Sequence, residues 1–94
     1  MTKLSIDSIV VVADTVVSCD LDTEAAILNL KDGVYYGLDP IGAKIWNLIQ
    51  KPITLTEVME TILNEYDVDS EQCKNDVLEL IEELLENGLV KVNE

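Results

Sequence analysis

The spacing of apolar positions changes at Asp39-Pro40. Before it, they fall in short β-branched or alternating stretches; after it, they recur every three to four residues. Ile9-Val10-Val11-Val12-Ala13 reads as a strand, and Val16-Val17-Ser18-Cys19 either continues it or opens the next. Asp20-Leu21-Asp22-Thr23 has turn chemistry. Glu24–Leu30 then reads as a strand with Ala26, Leu28 and Leu30 on one face. Lys31-Asp32-Gly33 turns the chain into Val34-Tyr35-Tyr36-Gly37-Leu38. A two-residue Asp-Gly loop pairs Lys31 with Val34. A three-residue loop, with Gly33 left-handed, pairs Leu30 with Val34, Leu28 with Tyr36 and Ala26 with Leu38. The second register collects these apolar residues on one face and is the one expected. It turns Tyr35 and Gly37 away from the helices.

Asp39 and Pro40 open the first helix. An aspartate side chain accepts from free first-turn amides, and proline at the first helical position forfeits no bond. The helix runs from Pro40 to about Gln50, with Ile41, Ile45, Leu48 and Ile49 on one stripe and Trp46 at its shoulder. Gly42 inside it suggests close approach to another backbone. Lys51-Pro52-Ile53 ends it. Thr54-Leu55-Thr56-Glu57 has capping-box spacing, ahead of a helix carrying Leu55, Val58, Met59, Ile62, Leu63 and Tyr66 on one face. A third helix, capped by Asp69 or Ser70, runs to Asn87 with Gly88 as its stop. Leu89-Val90-Lys91-Val92 reads as a short closing strand.

On the third helix, Cys73, Val77, Leu80, Ile81 and Leu84 centre an apolar stripe. Leu78 and Leu85 widen it to roughly 160° at about 100° per residue. One core needs an arc of only about 100°. The extra shoulder either packs on the first two helices or lines a groove. The expected fold is α+β and winged-helix-like: an N-terminal three-stranded antiparallel sheet followed by three α-helices, as one domain over 1–94.

Charge narrows the functions. Nineteen acidic residues stand against six lysines, with no arginine or histidine, for a net charge of −13. That field opposes nucleic acid and anionic lipid and suits a basic peptide or protein face. Without histidine there is no Cys/His or Ser/His pair and no histidine metal ligand, and no carboxylate pair stands out. The expectation is therefore no catalytic residues, no metal and no cofactor. No apolar run is long enough to span a membrane, and Met1-Thr2-Lys3-Leu4-Ser5-Ile6-Asp7 lacks a secretory signal's apolar stretch. Cys19 and Cys73 follow no pairing or metal spacing, which suits thiols in a reducing cytoplasm.

Three motifs fail on inspection. Ile6-Asp7-Ser8-Ile9 is similar to the phosphopantetheine attachment motif of carrier proteins, but Ser8 precedes a strand instead of following a complete helix. Asp67–Cys73 opens like a calcium loop, yet the sixth and twelfth positions are Gln72 and Leu78 where glycine and a bidentate acid are needed. DNA binding through the third helix is excluded by its single lysine, Lys74, among many acids.

The remaining feature is an edge. If the strands pair in sequence, Val34–Leu38 comes last with one side open, and it carries none of the charges or prolines that usually blunt edges. Either the terminal Leu89–Val92 segment or a second copy covers it, or a peptide adds there as another strand.

Gly33-Val34-Tyr35-Tyr36-Gly37-Leu38-Asp39-Pro40-Ile41-Gly42, followed by Ile45-Trp46 and Leu48, resembles the signature of the PQQ-synthesis protein D family. The likeness extends over Leu28-Asn29-Leu30, Thr54–Val58, Tyr66-Asp67-Val68-Asp69 and Leu85-Glu86-Asn87-Gly88-Leu89-Val90. These are precursor-peptide recognition domains for ribosomally made, modified peptides, and the chain is most similar to the free-standing form in lasso-peptide biosynthesis. Asp39 stands where asparagine is commoner in the family; either caps. The third helix also lacks arginine, which leaves open the leader residues it reads. The resemblance implies a non-catalytic module. It would bind a precursor's leader antiparallel to the third strand and pass it to a separate leader peptidase, a cysteine protease. Carried onto this chain, Val34, Tyr35, Tyr36, Gly37 and Leu38 supply the strand and Val77, Leu78, Ile81, Glu82 and Leu85 the helical wall. A Tyr-x-x-Pro element of the leader would meet Leu78, Ile81 and Leu85, and its lysines Glu82 and Glu86. The alternatives are a self-associating structural subunit and a chaperone delivering a precursor to a radical SAM enzyme.

Overall fold

A computed structural model describes residues 4–21 and 24–93; of the expected turn Asp20-Leu21-Asp22-Thr23, Asp20 and Leu21 instead end a strand, and Asp22-Thr23 lie outside the described residues. Six strands and three helices follow in the order β1 (Ile9–Val12), β2 (Val16–Leu21), β3 (Glu24–Asn29), β4 (Tyr35–Leu38), α1 (Pro40–Leu48), β5 (Ile53–Thr54), α2 (Leu55–Glu65), α3 (Ser70–Glu86) and β6 (Val90–Asn93). The α+β class and the three-stranded antiparallel sheet ahead of three helices are as expected. The strands, however, divide between two sheets. One has the order β2-β3-β4 and the other β5-β1-β6. The β-branched β1 thus leaves the N-terminal meander and becomes the centre of the second sheet, where Val10 is fully buried.

The expected hairpin register is off by one residue. Ala25 pairs with Leu38, Ala26 with Gly37, Ile27 with Tyr36 and Leu28 with Tyr35. Ala25, Ile27 and Asn29 therefore face the core, and Ala26 and Leu28 face outward. The cause is Asn29. Buried at 2% exposure, its Oδ1 accepts from the Lys31 N–H at 3.0 Å and its Nδ2 donates to the Asn87 carbonyl at 3.4 Å. A polar group with both ends partnered can be buried cheaply, and Leu30, 62% exposed, takes the outside position. The loop closes through left-handed Gly33, whose N–H donates to the Asn29 carbonyl, and through Asp32, whose Oδ1 accepts from the Val34 N–H. Tyr35 and Gly37 do face away from the helices.

The helix ends follow their expected chemistry. Asp39 Oδ1 accepts from the Gly42 N–H at 2.7 Å, Thr54 Oγ1 from Glu57, and Asp69 from Glu71 and Gln72. At the end of α3, Gly88 is left-handed, with Leu89 N–H on Leu84 and Gly88 N–H on Leu85; these paired bonds close the helix. On α1 the buried stripe is Gly42, Ala43, Ile45 and Trp46, with Ile49 behind it, while Ile41 is exposed. Trp46 is the stripe's centre, not its shoulder. Gly42 makes room for Leu38 and the cap side chain, 3.3 and 3.1 Å from where its Cβ would sit, and not for another backbone.

One core joins Ile27 and Leu38 of the first sheet, Val10 and Val90 of the second, and the inner faces of all three helices. Neither cysteine forms a disulfide: Cys73 is buried in that core and Cys19 is exposed. Burial, and secondarily Asp76, pushes the Cys73 thiol pKa up, which keeps it protonated and inert.

Candidate functional site

The site begins with what β6 does. The terminal strand pairs with β1, Val10 against Val92 and Val12 against Val90, so it does not reach β4. Among the described residues no strand pairs with the outer side of β4, which ends its sheet.

The register identifies the unpaired groups. Asn29 N–H donates to the Val34 carbonyl at 3.0 Å. Antiparallel partners alternate between hydrogen-bonded and non-bonded pairs, so Tyr36 and Leu38 turn their backbone groups to β3. Tyr35 and Gly37 turn theirs outward. Two residues thus offer both an N–H and a C=O along the open side.

The inner face of β4 reaches α3 through Tyr36. Its half-buried phenol lies beside the Glu83 carboxylate. Burial first, then the nearness and charge of that carboxylate, push the Tyr36 pKa up to about 12, so the hydroxyl stays a donor. A hydrogen bond from Asn29 to Asn87 lies one turn on. Together they fix which side of α3 borders the sheet. At about 100° per residue, Asp76, Glu79, Leu80 and Asn87 lie within roughly 60° of Glu83. Leu80 is half-buried against the core; Asp76, Glu79 and Glu83 are exposed. Lys74 lies about 180° away, so this wall carries acids around one leucine.

The structure does not bring the expected helical wall to β4. Val77 and Ile81, at 1% and 0% exposure, are sealed in the core. Leu78 and Leu85 are half-buried against that core and sit about 140–160° around the helix from Glu83; Glu82 is about 100° away. The extra apolar shoulder is thus packing. Glu83, Leu80 and Asp76 stand on the flank bordering β4 instead, and the sequence reading did not single them out. The available signal was the lone leucine interrupting the acidic i, i+4, i+7 row.

Hollows among the described residues lie elsewhere. One of about 670 Å³ opens between the β1–β2 turn, the β3–β4 turn and the end of α3, with Lys91 ion-paired to Asp14 at its rim. One of about 250 Å³ lies on the outer face of the first sheet, lined by Val17, Cys19, Ala26, Leu28 and Tyr35 among others. Among the described residues no group of three metal-ligating side chains converges, and no helix is long and apolar enough to cross a membrane.

Comparison with known proteins adds four findings. The profile of the PqqD family, described as coenzyme PQQ synthesis protein D, matches residues 24–90. The solved structure of TbiB1 in complex with the TbiA(beta) leader peptide is 32% identical, with a TM-score of 0.82 over 86% of this chain and 94% of that one. Lasso peptide synthetase B1 complexed with its leader peptide shares the fold, at 21% identity and a TM-score of 0.78 over 87% of this chain and 96% of that one. No curated protein sequence gives a significant match.

Proposed function

The chain belongs to the PqqD family, and on that footing we propose that it is a non-catalytic recognition element for the leader of a ribosomally made precursor, most closely a lasso-peptide precursor. The observation that carries this is the open side of β4, left unpaired while the chain's own tail pairs with β1. The solved relative at 32% identity was captured with a leader peptide, which supports the same class of guest here.

A leader segment adds antiparallel to β4 as a fourth strand, bonding to the N–H and C=O of Tyr35 and Gly37. Alternate guest side chains enter the groove between β4 and α3, where Tyr36, Leu80 and the acids Asp76 and Glu83 receive them. Val34 and Leu38 flank the bonding pair. The acidic wall selects an apolar guest residue with a lysine or arginine nearby, and the net charge of −13 speeds the encounter. The domain then passes the bound precursor to a separate leader peptidase of the cysteine class.

The test is calorimetric titration with the synthetic leader of the precursor encoded beside this chain, against a scrambled peptide of equal composition. Equal binding of the two ends the proposal. Tyr35→Pro removes an outward N–H without touching the β3–β4 ladder, so undiminished binding by that variant rules out strand addition. Sedimentation over a concentration series separates a guest peptide from a second copy on the same edge.

A further inference from the structure

Gly37 is a glycine the folded chain does not need. Its φ is not positive, unlike those of Gly33 and Gly88. The ladder through it runs without a bulge. A Cβ built on it meets nothing within 4 Å, whereas one on Gly42 would press on Leu38 and Asp39. Glycine weakens a strand by leaving backbone freedom to be lost and nothing to pack. Where neither turn, bulge nor crowding asks for it, a strand glycine marks the close approach of another chain. Gly37 lies where that approach would come, with its own backbone groups turned outward.

Resting on the reading of β4 as the edge that takes a leader strand, we propose that Gly37 is its specificity-determining position, and that the bare backbone there receives an aromatic side chain of the guest on the sheet face away from α3. The guest residue opposite Gly37 forms a hydrogen-bonded pair with it, and its Cβ rises on the same outer face. With no side chain in the way, a flat ring lies across the glycine, as aromatic residues do over edge glycines. It reaches Ala26, the partner of Gly37 on β3. Beyond Ala26 the 250 Å³ hollow continues toward Val17 and Leu28, with no charged residue in its lining. Tyr35, on the same face and 66% exposed, offers an edge for offset stacking. A β-branched residue would stand upright and miss this surface, and a charged one would find no partner. The glycine thus reads a feature of the leader that the α3 groove cannot see.

The test uses Gly37→Val, which places a strand-favouring side chain in open space and keeps or raises the melting temperature. A displayed library of random peptides is sorted on wild type and on Gly37→Val. Peptides selected on wild type carry an aromatic residue at one fixed position, and those selected on the variant lose it. Transferred to Gly37→Val, a wild-type-selected peptide binds at least about tenfold more weakly. Equal aromatic frequency in the two pools, or equal affinity for the two proteins, overturns the assignment of Gly37 and leaves the edge reading intact. Failure of any peptide to enrich on wild type, or enriched peptides indifferent to Tyr35→Pro, overturns the edge reading and this inference with it.

Discussion

The two sheets are built from similar strands and finished differently. In β5-β1-β6, the chain's tail returns to pair along the whole of β1, and the N-terminal stretch is pinned to α2 by the Ile6 and Ser8 carbonyls, which accept from Thr56 and Leu55. In β2-β3-β4, the last strand stops at the Asp39 cap with one side open. The β5-β1-β6 sheet buries its central strand as part of the core; the β2-β3-β4 sheet hangs its inner face on α1 and leaves the β4 edge to the outside. A small domain that needs its core for stability can keep a vacancy only where its own segments are committed elsewhere.

This contrast can be broken from either side. The largest effect is expected in the β5-β1-β6 sheet: Val10→Asp places an unpaired charge at a fully buried position, costing about 3–5 kcal/mol, a large part of a small domain's stability. The helical circular dichroism signal at 25 °C should collapse. Next comes Tyr35→Pro in the open sheet, with leader affinity down by about a hundredfold and stability changed by less than about 1 kcal/mol, read by calorimetry and thermal melts. Tyr36→Phe and Glu83→Gln each alter the β4–α3 contact and should weaken leader binding by about fivefold, near 1 kcal/mol. Tyr36→Phe has a second signature. The wild-type phenol keeps its proton in the folded state up to pH about 12, against 10.0 unperturbed, so its stabilising contribution is complete below pH 10 and lost as pH rises toward 12. Melts across that window should fall more steeply for wild type than for the variant. The smallest effect is Lys91→Ala, which removes an exposed ion pair to Asp14 and should shift stability by no more than about 0.5 kcal/mol.

Local chemistry was legible in the sequence where one residue decides the outcome. Asp39, Thr54 and Asp69 cap because their oxygens reach the first-turn amides, and Gly88 stops α3 because it tolerates a left-handed backbone. The open β4 was legible too, since a chargeless final strand was visible. What failed was phase and rotation. Alternation in β3 pointed the wrong way because Asn29 is buried and satisfied while Leu30 is exposed, and hydrophobicity alone inverts that pair. The helical wheel of α3 gave its stripes correctly but not which flank would meet β4. That was set by the Asn29–Asn87 hydrogen bond and by the approach of Tyr36 to Glu83, both between residues more than forty positions apart. The partner of β1 was hidden for a similar reason: a β-branched run states that it is a strand, not which strand lies beside it.

Trp46 is the chain's only tryptophan and is 1% exposed, with its indole Nε1 unpartnered among the described residues. Its fluorescence should be blue-shifted in the native protein and out of reach of iodide. Because the ring lies in the core and not along β4, occupancy of the edge should leave its emission nearly constant, while melting should move it to the red. A single optical channel therefore follows unfolding alone, and guest occupancy is best followed through a dye on the peptide.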